Sequence, residues 1–521
     1  MLVPILLLVL LAASGTLLRL RALTRPGEPR RRRLPPSPRG LPIVGNLHQL
    51  AGALPHRALH ALAAAHGPVM LLRLGRVPTL VVSSPAAARE VLHLHDAAFA
   101  GRPPLAAAGR LLYGRTDIAF APHGAYWRRA RKMCVLHLLS PRRVRACRAV
   151  REEEVAALLR RVAAAASGGG AVPLSELLGG FAKDAIGRIV LGVRASGGGG
   201  AGWRAKVDAL LEEANALLGA FHVGDYFPRL AWVAAVDGTD ARARRAFERI
   251  DGILEEIVAA ASAELGRAGA RHDAFVHVLL SIHKDSTVTG PCFTRDNVKA
   301  LLEDLFGAGT DSTIIVLEWV MAELLRNPDA MRKLQLEVRR RRRATAGGGG
   351  GGASLMVTED DLPAMEYLRA VVKETMRLHP PGPLLVPRES MADAVVGGGR
   401  FHVPRGTRVV VNAWAVGRDP AAWDRAGEFR PARFAGGEVD FRGRHFQLVP
   451  FGAGRRMCPG IGLASAVVEL AVANLVARFD WAVPAAPPAA GGVPEAVDME
   501  EAPGITSRKK VPLRVVAAPP A

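Results

Sequence analysis

"PFGAGRRMCPG", Pro450 to Gly460, sets one cysteine among glycines, prolines and two adjacent arginines. Gly452, Gly454 and Gly460 permit tight turns and let the backbone approach a flat ligand closely. The residues that follow, Ile461 to Val476, have apolar positions at helical spacing, so Cys458 stands just before a helix N-terminus. Free backbone N–H groups and the helix dipole favour a thiolate there. A thiolate can serve as a nucleophile, a redox thiol or a metal ligand. No histidine nearby marks a base for a nucleophile, and no neighbouring cysteine could resolve a redox thiol. The other cysteines, Cys134, Cys147 and Cys292, show no CxxC spacing, which argues against structural zinc. They are too sparse for a disulfide framework, and a reducing compartment is the simplest account.

Away from this loop, the 521 residues include 49% hydrophobic and 22% charged, enough for a sizeable core and unlike a disordered chain. The net charge is +21, yet the basic residues are scattered and no aromatics are interleaved for base stacking, so nucleic acid is not the expected partner. Met1 to Leu18 is apolar and uncharged, long enough to cross a bilayer. Positive residues follow it at Arg19, Arg21, Arg25 and Arg30 to Arg33, which predicts an anchor with the bulk of the chain in the cytosol. Prolines at 35, 36, 38 and 42 then stiffen the link. The expected organisation is an anchor helix over 1–20, a basic, proline-rich hinge over 21–45 and a single large domain over 46–521.

Within that domain, residues from Pro122 to Arg343 read as mostly helical, and Thr79–Ser83 and Thr407–Trp414 read as strands. Glycine- and alanine-rich stretches at Ala163–Ala171, Ala195–Gly202 and Ala344–Ala353 read as surface loops. The fold class is mainly α with a minor β part. One helix stands out, capped at Thr294 and stopped at Asn327-Pro328, roughly 48 Å long at 1.5 Å per residue. It is apolar on most faces and should cross the interior. Its middle, Gly307 to Thr313, gathers glycines, hydroxyls and a carboxylate, and each mid-helix glycine costs about 1 kcal/mol relative to alanine. Such a centre suggests a groove where something binds.

A single axial thiolate on haem iron needs one cysteine and cations for the haem propionates, and Arg456 fits that need. "FGAGRRMCPG" resembles the haem-binding signature of the cytochrome P-450 superfamily, F-x-x-G-x-R-x-C-x-G, at Phe451, Gly454, Arg456, Cys458 and Gly460. Other motifs of that family follow the right order. "KETMRLHP" carries its E-x-x-R pair, Glu374 and Arg377, and "FRPARF" supplies Arg433, with Ala432 where the family has glutamate. "YWRRARK" matches its W-x-x-x-R helix at Trp127 and Arg131, and "LLVPRES" supplies Arg388. "AGTDS" looks like its oxygen-activation motif, beginning at Ala308, with Ser312 in place of the usual threonine. The resemblance runs from the anchor to about Pro512 and is nearest to the plant A-type microsomal branch.

The resemblance implies the cytochrome P-450 fold, with the long central helix over haem b. Cys458 would be the axial thiolate on the iron. Trp127, Arg131, Arg388 and Arg456 would contact the propionates. Glu374, Arg377 and Arg433 would form a buried network, and Asp311 and Ser312 would deliver protons. It also implies a monooxygenase on the endoplasmic reticulum membrane, with electrons from NADPH through a membrane-bound reductase. The pocket positions, around Phe99–Phe120, Leu301–Ala308, Pro383–Val386 and Ile505–Ser507, are mostly apolar. They suit a small lipophilic substrate such as a terpenoid, phenylpropanoid or indole product. Two other readings share these residues. A haem-thiolate isomerase or dehydratase would need neither dioxygen nor reductase, and a haem sensor would make no product.

Overall fold

The computed structural model describes residues 33–52, 54–194, 201–265, 273–285, 293–346, 356–484 and 497–520. The expected anchor over 1–20 and the first part of the 21–45 hinge lie outside the described residues.

Arg295–Arg326 is the long central helix, and it begins where the sequence places its cap. Thr294 Oγ1 accepts from the Asn297 amide at 3.3 Å, and Asn297 Oδ1 accepts from the Thr294 amide at 2.8 Å. This reciprocal pair satisfies two of the donors a helix start leaves free. The helix packs along Leu174–Val190, Glu366–Leu378 and Ile461–Arg478. In its second half Ile315, Leu317, Trp319 and Met321 are fully buried. The central helix and Ile461–Arg478 are long and apolar enough to cross a membrane, but most of each is packed inside the domain.

The minor β part lies to one side. Val69–Leu74 and Val77–Val82 form an antiparallel hairpin, and Val77–Val82 pairs in parallel with Arg408–Val411, Thr79 opposite Arg408 and Val82 opposite Val411. Leu80, Val81, Val82 and Val409 are nearly or fully buried, as the β-branched run requires. Arg388–Glu389 completes this sheet against Arg408–Val411. The sheet therefore delivers Arg388 from its edge toward the cysteine loop.

Two sequence expectations change. The second strand ends at Val411, and Ala413–Val416 is a helical turn capped by Asn412, whose side chain accepts from Ala415. The alanine-rich stretch at Ala163–Ala171 is helical as far as Ser167. Likewise Ala344 to Ala346 end the helix that starts at Pro328. Alanine is the strongest helix former, so an alanine run extends a helix until glycine stops it.

Candidate active site

The cysteine loop owes its path to Gly454. Its φ is +69°, and a Cβ there would lie 2.1 Å from Leu92 O, so no other residue fits without displacing backbone. The Cys458 amide donates to Phe451 O at 2.9 Å, which closes the loop, and Phe451 packs edge-on against Phe441. Gly460 is the N-cap of Ile461–Arg478, with φ of −83°. The Cys458 side chain is exposed, although protein surrounds it densely enough to push its thiol pKa up. An accessible thiol so enclosed lies on the wall of a recess. The Gly460 N–H and Arg131 pull the other way, but burial and Asp304 outweigh them. The helix-start N–H pulls toward the thiolate as the sequence predicts, and desolvation outweighs it.

Across the recess runs the central helix. Leu305, Ala308 and Ser312 share one face of it by spacing, and that face is open: Ala308 is exposed and Ser312 half-buried, while Thr310 and Thr313 are buried. Asp304, one turn before Ala308, lies close enough that its charge raises the Cys458 pKa. Ser312 Oγ donates to Ala308 O at 2.8 Å, and Thr313 Oγ1 donates to Gly309 O at 2.6 Å. Asp311 is buried and ion-paired with Arg508.

Four guanidinium groups converge beside the loop. Arg456 donates to the carbonyls of Ala100 (2.9 Å), Ile118 (3.3 Å) and Ala121 (2.7 Å) and lies 4.1 Å above the Trp127 ring. Trp127 is held by its own bond to Ile118 O at 3.0 Å. Arg131 donates to Met457 O at 2.6 Å and Arg388 to Ala453 O at 3.0 Å. Arg102, inside the Phe99–Phe120 stretch read as pocket but not singled out there, donates to Ala119 O at 2.6 Å and to Val386 O and Pro387 O at 2.6 and 2.8 Å. Burial and mutual repulsion depress their pKa values: Arg388 to about 10, Arg456 to about 9, and Arg102 well below the usual range. The carboxylate at hand is Asp96, 3.6 Å from Arg388 and 2.9 Å from Arg455. That second pair gives Arg455 the partner the sequence did not reveal. Asp117 and Asp304 are both pushed up, mainly by burial and for Asp117 next by the Asp304 charge. Cations in excess of carboxylates at the rim of a recess ending in a thiol suit a flat ligand with acidic arms and a metal centre. Haem has that form, so the residues fit the group that the cysteine loop implies.

Glu374, Arg377 and Arg433 form a separate network. Arg377 Nε and Nη2 donate to Glu374 Oε2 and Oε1 at 2.7 and 2.8 Å, and Arg433 Nε reaches Oε1 at 2.9 Å. Arg377 Nη1 also donates to Gly417 O and Ala426 O at 2.6 and 2.7 Å. Glu374 and Arg377 are 0% and 1% exposed, so the pair is no surface ion pair. Ala432 is exposed, which explains how the family's glutamate can be missing without leaving a buried gap.

The missed residues had faint signals. Asp304 stands beside Glu303 between apolar pairs in "LLEDLF", and it accepts the Ile118 and Ala119 amides at 2.9 and 3.1 Å. Nothing in local sequence distinguishes Arg102 or Arg508, because their partners lie far along the chain.

Comparison with known proteins agrees with this geometry. The Cytochrome P450 family model matches residues 35–490. Cytochrome P450 71A1 of Persea americana is 46% identical over 476 residues, 91% of each chain. (+)-Menthofuran synthase of Mentha piperita is 42% identical over 489 residues, 94% of each chain. A zebrafish cytochrome P450 solved with progesterone superposes with a TM-score of 0.74 at 25% identity, covering 90% of this chain and 100% of that one. With a family match over most of its length and relatives of this identity, the chain belongs to the cytochrome P450 family, haem-thiolate oxidoreductases of the monooxygenase type.

Proposed function

We propose that the protein is a membrane-anchored monooxygenase that inserts one atom of dioxygen into a small lipophilic substrate. The observation that carries this is the recess itself: an accessible thiol at a helix start, a ring of excess cations, and Ala308 and Ser312 open on the central helix. In this reading Cys458 holds the iron. Arg131, Arg388 and Arg456, with Trp127, receive the propionates, for which carbonyl bonds can be exchanged. Bidentate guanidinium–carboxylate pairs are about twice as strong as neutral ones. Haem, when bound, would supply the oxygen chemistry, with the Cys458 thiolate lending it electron density. The protein positions the substrate, limits water and moves protons. Ser312 Oγ can turn from Ala308 O to pass a proton, and Asp311 lies beside it in sequence to resupply it. Serine lacks the methyl that restricts threonine, so its hydroxyl is freer to rotate.

Electrons would come from NADPH through a reductase. Arg128, Arg129, Lys132 and Arg455 are exposed on the cysteine-loop side and offer a basic surface to an acidic partner. The apolar N-terminal segment supports a membrane location. So does an apolar surface over Phe221–Val236, where Phe221, Trp232 and Val236 are 57%, 63% and 77% exposed. Purified protein incubated with reductase, NADPH and a panel of terpenoids, phenylpropanoids and indoles should give a product that carries one oxygen atom from labelled dioxygen. Turnover without NADPH and dioxygen would instead point to isomerase or dehydratase chemistry.

A further inference from the structure

Asp311 is held by a residue 197 positions along the chain. One carboxylate oxygen, Oδ1, pairs with Arg508 Nη2, while Oδ2 is buried with no hydrogen-bond partner among the described residues. Arg508 sits on a hairpin whose base is the Glu501–Lys509 bridge, closed by Ala502 N to Arg508 O at 2.8 Å. That base is pinned at several points. Glu501 takes His56 Nε2 at 3.0 Å, Arg57 Nε at 2.7 Å and Ser507 Oγ at 3.0 Å. Trp319, on the same central helix as Asp311, donates to Ser507 O at 3.0 Å, and Lys509 Nζ lies 5.0 Å over its ring. The tip of the hairpin touches the end of helix Ala201–Gly219: a Cβ on Gly219 would lie 2.9 Å from Ile505 N.

We propose that Arg508 is a positioning residue for proton delivery, tying down Asp311 Oδ1 so that Oδ2 is the one atom free to give and take the travelling proton. This rests on the reading of Asp311 as the proton-resupplying carboxylate. A carboxylate with both oxygens bound would be a brace, and one with neither bound could swing from Ser312. The pinned hairpin fixes the guanidinium, and its tip makes that fixation sensitive to where the Ala201–Gly219 helix ends.

The test uses haem-loaded protein with reductase, comparing Arg508→Gln, Arg508→Lys, Asp311→Asn and the Gln/Asn double variant. Arg508→Gln should lower kcat by roughly tenfold with KM within about twofold, and divert reducing equivalents to peroxide. Arg508→Lys should restore most of the coupling. The double variant should be no worse than Asp311→Asn alone, because both changes act on one unit. Melting temperatures of the same four proteins should show the same non-additivity without any turnover. If Asp311→Asn uncouples but Arg508→Gln does not, Arg508 only braces the fold and the proposal fails. If Asp311→Asn leaves coupling intact, the underlying assignment of Asp311 fails instead.

Discussion

In the Glu374–Arg377–Arg433 network each charge meets a partner: one buried carboxylate takes two guanidiniums, and carbonyls absorb the remaining donors. In the Arg102–Arg131–Arg388–Arg456 cluster the guanidiniums rest on carbonyls alone, apart from Asp96 at 3.6 Å from Arg388. The first region is closed and complete. The second keeps cations together at a cost visible in the depressed pKa values of Arg388 and Arg456. A fold tolerates such an imbalance where something else answers it. The difference separates arginines that hold the protein together from arginines proposed to receive the haem propionates.

The sharpest break of the comparison is Glu374→Gln. It leaves Arg377 buried without its counter-charge, and losing one partner of a buried pair costs about 3–5 kcal/mol. Denaturant unfolding should show that loss with or without haem. A closed site of the same kind recurs at Glu501. Burial pushes its carboxyl up, but His56 and Arg57 outweigh this and hold it at about 2. A depressed carboxylate stabilises the fold above its ordinary pKa of 4.5 and loses that contribution as pH falls toward 2. Glu501→Gln should therefore be less stable than the parent at neutral pH, by on the order of 2–3 kcal/mol. The two should converge in acid unfolding as pH approaches 2.

The open cluster should respond in the opposite sense. Arg388→Met should weaken haem binding by roughly tenfold or more, since hydrogen bonds to charged groups contribute about 1.5–3 kcal/mol. The stability of the haem-free protein should change far less than in Glu374→Gln. Haem titration and thermal unfolding of the same sample decide this, and equal losses in both regions would erase the distinction. The smallest effect belongs to Ala432→Glu, which restores the family's residue. At an exposed position it should alter stability by no more than about 0.5 kcal/mol, checked by the unfolding midpoint.

The sequence made some of this legible and hid the rest for identifiable reasons. The central helix could be read nearly to its ends, because Thr294, Asn297 and Asn327-Pro328 carry local cap and stop signals. The cysteine loop was readable because Gly454, Arg456 and Cys458 crowd into one motif. The alanine-rich helix ends were misread because glycine and alanine were weighed alike as loop formers. The thiol's upward shift was hidden because burial depends on what packs around the loop. Arg102 and Arg508 were invisible because their contacts, with Val386 and Asp311, join segments far apart along the chain. The partner of Arg455 is hidden for the same reason, since Asp96 lies in another part of the fold.

The central claim is that Cys458 alone ligates the haem iron, and the reduced, carbon-monoxide-bound absorption spectrum tests it most directly. The account predicts the strongly red-shifted band of a thiolate-ligated haem in the wild-type protein, and its loss in Cys458→Ala while Cys134 and Cys147 remain. A wild-type protein that binds no haem, or a Cys458→Ala variant that keeps the same band, would contradict it.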